Sequence, residues 1–91
     1  MDRLKGKVSI VTGANSGIGK RTAEIFAREG SDLVLVARLL DKLKEVESEC
    51  AAMGVKVISV SADVSVYDEC KKVVKAAIDT FGRIDVLVNN A

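Results

Sequence analysis

The chain has 91 residues, 48% of them hydrophobic and only 3% aromatic, with no proline and no histidine. Fourteen basic residues against thirteen acidic ones leave a formal charge of +1, which argues against a surface built for nucleic acid or for an anionic membrane. Such a composition suits one small α/β domain with a core of Val, Ile, Leu and Ala, and excludes a disordered chain.

The opening residues, Met1-Asp2-Arg3-Leu4-Lys5-Gly6-Lys7, lack the apolar core of a secretion signal. No uninterrupted apolar run reaches transmembrane length, so a cytosolic location is expected. Val8-Ser9-Ile10-Val11-Thr12 then reads as a buried strand, and Gly13-Ala14-Asn15-Ser16-Gly17-Ile18-Gly19 as a tight turn entering a helix. Gly13 permits a turn that a Cβ would obstruct. Gly17 lets the chain lie close against a ligand, and Gly19 lets the helix pack tightly on its strand. The N–H groups and positive dipole end of that helix form a site for an anion, most simply a pyrophosphate. Surface turns are also rich in glycine for conformational reasons alone. Here the glycines stand between a strand and a helix, with a second strand at βαβ spacing, and that context favours a nucleotide.

Helical spacing continues through Thr22, Ile25, Phe26 and Glu29 with the apolar members inward, and Gly30 stands where a left-handed cap is wanted. Leu33 to Ala37 is the second strand. Leu39, Leu43, Val46, Cys50 and Met53 form the apolar stripe of a second helix that Gly54 ends. Val55 to Val60 is the third strand, leading to Asp63-Val64 at its carboxyl end. Ser65-Val66-Tyr67-Asp68 reads as a capping box with Ser65 as the cap. Cys70, Val73, Val74, Ala77, Ile78 and Phe81 supply the buried stripe of a third helix, Gly82 its stop, and Ile84 to Val88 the fourth strand. Asn89, Asn90 and Ala91 follow.

Four strands alternating with three helices require right-handed crossovers and a parallel sheet. The expected order is 3-2-1-4, with the first two helices on one face and the third on the other. A ligand then belongs at the switch point between strands one and four, above Gly13 and Asn90. Strand four is left as an edge despite its apolar sequence. With only the third helix on its face of the sheet, Val8, Ile10 or their neighbours are expected to stay partly wet. Cys50 and Cys70 follow no C-x-x-C pattern and have no histidine to complete a metal site, so both read as core-facing free thiols.

With these residues in place, the chain resembles the short-chain dehydrogenase/reductase family. Thr12-Gly13-Ala14-Asn15-Ser16-Gly17-Ile18-Gly19 matches that family's T-G-x-x-x-G-I-G motif at every fixed position. Asp63-Val64 matches its aspartate after strand three, Asn89-Asn90-Ala91 the first three letters of N-N-A-G, and Lys5-Gly6-Lys7 is a usual opening. The resemblance implies a Rossmann-type α/β fold, of which residues 1–91 would be the amino-terminal half of a single dinucleotide-binding domain. By the same resemblance Gly13, Gly17, Ile18 and Gly19 would hold the pyrophosphate, Asp63 and Val64 the adenine, and Asn90 and Ala91 the adenosine ribose and neighbouring cofactor. Thr12 and Asn89 either join that site or tie the central strands together by hydrogen bonds. A homo-oligomer is the family's habit.

Charge decides the expected cofactor. Folds that prefer NAD place an acid about twenty residues past the glycines, where it accepts from the ribose 2′-hydroxyl. Here that place reads Val36-Ala37-Arg38, and Asp41 lies beyond it in the next helix. A guanidinium is the natural partner of a phosphate, and at a helix start it would otherwise oppose the dipole. NADP(H) is therefore expected over NAD(H), with Arg38 on the 2′-phosphate and Asn15 and Ser16 as secondary donors.

The family's catalytic centre contains Tyr-x-x-x-Lys, and Tyr67-Asp68-Glu69-Cys70-Lys71 has that spacing. It precedes the N-N-A segment, whereas the family's pair follows it, and it begins a helix two strands from the switch point. A general acid must come within about 3 Å of the reacting atom, so no residue of this chain is assigned to catalysis and none to a metal. The resemblance implies hydride transfer between the cofactor and a carbonyl or secondary alcohol, completed by residues that this sequence does not contain. The alternative is a nucleotide-binding or interaction module without catalysis.

Overall fold

The computed structural model describes residues 2–90. Seven elements alternate along the chain: β1 (Val8–Thr12), α1 (Gly17–Arg28), β2 (Asp32–Ala37), α2 (Leu40–Ala51), β3 (Val57–Ser61), α3 (Tyr67–Phe81) and β4 (Val86–Val88). The strands pair in parallel in the order β3-β2-β1-β4, the Rossmann-type arrangement expected from the sequence. All three helices end before a glycine or on one, and Gly30, Gly54 and Gly82 take positive φ.

Period-two alternation explains why β1 and β2 read as continuous apolar runs. Val11, Leu33, Leu35 and Ala37 face one side, where α1 contributes Ala23 and Ala27 and α2 contributes Leu43, Val46 and Cys50. Val8, Ile10, Val34 and Val36 face the other, against Val73 and Ala77 of α3. A strand buried on both faces has no polar side to show. Ser9 and Thr12 are the exceptions in β1, and Ser9 is fully buried with its hydroxyl 2.7 Å from that of Ser31. Ser31 donates onward to the Asp32 carbonyl at 2.8 Å, so burial leaves neither hydroxyl without a partner.

Strand limits differ from the expected ones where a carboxylate replaces a ladder carbonyl. The Val8 N–H donates to Asp85 Oδ2 at 2.9 Å, and the Asp85 N–H returns a bond to the Val8 carbonyl at 2.9 Å. β4 proper therefore begins at Val86 rather than Ile84. Arg83 lies 2.7 Å from the other Asp85 oxygen, and that pairing, followed by the Val8 bond, holds the Asp85 carboxyl below the usual range. At the start of β3, Asp32 Oδ1 takes the Lys56 N–H at 2.9 Å. That strand runs from Val57 to Ser61 instead of Val55 to Val60.

Helix ends also depart from expectation. Ser65 does not cap α3. The N-cap position falls on Val66, with no side-chain cap bond, because the Ser65 hydroxyl and N–H both turn back to Asp63 Oδ1, at 2.6 and 3.0 Å. An aspartate two residues before a serine offers the backbone an Asx-type turn that competes with the capping box. The apolar stripes are also narrower than expected. Ile25, Leu39 and Met53 are exposed, and α1 packs through Ala23 and Ala27 with Phe26 half-buried. Cys50 is fully buried, whereas Cys70 is only half-buried and donates to the Val64 carbonyl at 3.0 Å.

The wet surface lies elsewhere than Val8 and Ile10, which are 3% exposed. Leu87 of the edge strand β4 is 64% exposed and lines one groove with Val74 of α3, itself 48% exposed, while Ile78 of the same helix is 45% exposed. Because α3 shelters β1 and β2 rather than β4, the unsheltered apolar area shifts outward by one strand. Contiguous exposed apolar area next to an open strand edge drives association. Expressed on its own, the 91-residue chain should self-associate or melt without a sharp cooperative transition. Light scattering with a urea melt checks this, and a monodisperse monomer of ordinary stability, on the order of 5 kcal/mol, would contradict it.

Candidate functional site

At the carboxyl ends of the strands lies a cleft of about 630 Å³. Thr12, Gly13 and Asn15 wall it after β1, Val36, Ala37, Arg38 and Leu39 at and after β2, Ala62, Asp63, Val64 and Ser65 after β3, and Asn89 after β4. Parallel strands all point their carboxyl ends the same way, so residues from four separate segments converge there.

Gly13 shapes the floor. Its φ is +62°, and a Cβ built on it would come within 3.2 Å of the Asn90 carbonyl oxygen. A Cβ on Gly19 would overlap the Gly13 carbonyl group, with the carbonyl carbon at 2.6 Å. Both glycines are thus fixed by packing of backbone on backbone. Gly17 is different: nothing lies within 4 Å of where its Cβ would be. Its missing side chain relieves no contact within the fold, and leaves an open cradle at the first residue of α1.

Thr12 joins β1 to β4. Its hydroxyl donates to Asn89 Oδ1 at 2.8 Å and accepts from the Asn90 N–H at 3.0 Å. The structural tie expected for Thr12 and Asn89 is therefore present, and Asn89 also lines the cleft. The Asn90 side-chain nitrogen is buried with no hydrogen-bond partner among the described residues. Ser16 is the N-cap of α1: its hydroxyl donates to the Gly13 carbonyl at 2.8 Å and accepts from the Gly19 N–H at 3.4 Å. Its proton is engaged there, while Asn15 faces the cleft. Ile18, at 76% exposure, stands on the open side of α1. Ala91 lies outside the described residues.

On the far wall Arg38 and Asp63 form an ion pair, Nη2 to Oδ2 at 3.3 Å. The Ser65 hydroxyl and N–H, followed by Arg38, hold the Asp63 carboxyl below the usual range. Sequence reasoning does not single out Val36, Ala37, Leu39, Ala62 or Ser65 as lining residues. Only Ser65 left a signal, the Asp-x-Ser spacing.

A family model described as short chain dehydrogenase matches residues 7–91. The chain belongs to that family. Among curated relatives of this short-chain dehydrogenase, 11-beta-hydroxysteroid dehydrogenase-like 4A of Arabidopsis thaliana is 46% identical over 91 residues, covering 99% of this chain and 30% of the relative. The L-sorbose reductase of Gluconobacter frateurii, solved with NADPH and L-sorbose, superposes with a TM-score of 0.93 at 44% identity, covering 100% of this chain and 35% of that one. An NAD+-bound xylitol dehydrogenase superposes at 0.95 with 34% identity, over 99% and 35%. The chain thus spans about a third of the length of the proteins it matches.

Tyr67 and Lys71 stay outside the cleft. Tyr67 is 77% exposed at the start of α3, with the Lys71 ammonium 5.5 Å from its ring centroid. Among the described residues no group of His, Cys, Asp and Glu is placed to hold a metal, and no helix is long and apolar enough to cross a membrane. Burial pushes the Cys50 thiol up to about 11, which leaves it protonated and inert.

The two helix glycines should respond oppositely to substitution. Gly19→Ala should cost about 1–3 kcal/mol of stability because the overlap is with backbone. Gly17→Ala should leave stability unchanged or raise it by up to about 1 kcal/mol, while weakening nucleotide binding. Urea melts of both variants check this, and equal destabilisation would mean that the cradle at Gly17 is structural.

Proposed function

We propose that the chain is the cofactor-binding part of an oxidoreductase that transfers hydride between NADP(H) and a carbonyl or secondary alcohol. The observation that carries the cofactor choice is Arg38, which lines the cleft just beyond β2 where an NAD-type site has an acid. Family membership and the oxidoreductase names of the relatives favour catalysis over a purely binding module.

The residues present fit a dinucleotide. The open cradle at Gly17 admits an anion against the α1 N-terminus. The apolar walls of Val36, Ala37 and Val64, with Asp63 as acceptor, suit an adenine. The guanidinium of Arg38 offers a planar fork to a 2′-phosphate. When bound, the nicotinamide supplies the hydride chemistry. This chain's own residues bind and orient: Thr12 fixes β1 against β4, and Gly13 keeps the floor low enough for Asn89 and Asn90 to approach.

Arg38→Ala in the complete protein should raise the KM for NADPH by roughly five- to tenfold, an exposed charge-assisted bond being worth less than a buried one. The KM for NADH should move less than twofold. Steady-state kinetics with both cofactors decide this, and an unchanged preference would sink the NADP(H) assignment. Tyr67→Phe should leave turnover within about twofold, as a surface change does. A loss on the order of 100-fold would relocate the active site.

A further inference from the structure

The cation assigned to the 2′-phosphate already has a partner in the cleft, 3.3 Å away at Asp63. The backbone of Arg38 and the carboxylate of Asp63 are each held in place by other groups. The Arg38 carbonyl accepts from the Ser61 hydroxyl at 2.8 Å, just past the last β2–β3 pair, Ala37 with Ser61. Asp63 Oδ1 is fixed by the Ser65 hydroxyl and N–H, and the Asp63 N–H donates to Glu69 Oε1 at 3.3 Å. With one oxygen anchored, the carboxylate keeps its other oxygen toward Arg38. The Ser65 bonds favour its charged form.

A 2′-phosphate approaching Arg38 therefore meets a neighbouring negative charge and a guanidinium nitrogen already engaged. An unphosphorylated ribose carries no charge for that carboxylate to oppose. Resting on the cofactor reading above, we infer that Asp63 is a specificity-determining residue: its carboxylate neutralises Arg38 and narrows the preference for a 2′-phosphorylated adenine nucleotide over its unphosphorylated counterpart. An acid from after β3 thus reaches the cation that follows β2. Arg38 is 74% exposed along its side chain, which keeps the effect at the scale of a surface ion pair.

Calorimetric titration of the full-length protein with adenosine 2′,5′-bisphosphate and with adenosine 5′-monophosphate tests this. The ratio of the two affinities isolates the 2′-phosphate and cancels any loss of adenine contact. Arg38→Ala must lower that ratio by about fivefold; if it does not, the cofactor reading fails and the inference with it. Given that drop, Asp63→Asn should raise the ratio roughly two- to fivefold, and by clearly less when combined with Arg38→Ala, where only the direct repulsion of the phosphate is relieved. Asp63→Ser removes the same charge and serves if the asparagine variant loses its native circular dichroism. A neutral variant with a ratio at or below wild type, or one that raises it equally without Arg38, overturns the masking and leaves the cofactor site standing.

Discussion

Backbone packed on backbone at Gly13 and Gly19 sets the geometry on which the rest of the site depends. The Gly13 carbonyl occupies the space of a Gly19 Cβ, and the Asn90 backbone closes on Gly13 from the other side. These contacts bring α1, β1 and the end of β4 closer than any side chain would allow. Their consequence is a cleft whose floor is main chain. Above it a helix N-terminus opens onto solvent at Gly17, where the fold has left room that its own packing does not use.

Around that floor the walls are joined by single side chains reaching across strand ends. Thr12 links β1 to Asn89 and Asn90, and Ser61 links the end of β3 to the Arg38 carbonyl. Ser65 turns Asp63 into the cleft. A hydroxyl or carboxylate that replaces a ladder bond satisfies a backbone group while ending the strand, so residues beyond it are free to face a ligand. Asp85 and Asp32 do the same at the opposite ends of the strands.

The sequence conveys what depends on periodicity and on glycine spacing. Two-sided burial makes β1 and β2 legible as largely apolar runs, and alternation with helices leaves little choice of sheet order. The glycine motif reveals its distinct roles because close packing and close ligand approach both demand the loss of a Cβ. What the sequence conceals depends on register. Ser65 reads as a helix cap until Asp63, two residues earlier, competes for it. The Arg38–Asp63 pair joins residues on different loops, brought together only because Ala37 pairs with Ser61. Val74 and Ile78 read as core because helical spacing shows that a face is apolar and not whether anything covers it.

We read the cleft above Gly13 as a dinucleotide site with its 2′-phosphate end at Arg38. A crystal structure of the full-length protein with NADPH tests it most directly. The pyrophosphate is expected against the backbone of Gly17 to Gly19, the adenine between Val36 and Val64, and the 2′-phosphate within hydrogen-bond reach of Arg38 with the Asp63 pair opened or shared. A pyrophosphate elsewhere than the α1 N-terminus, or a 2′-phosphate turned to solvent away from Arg38, would contradict it.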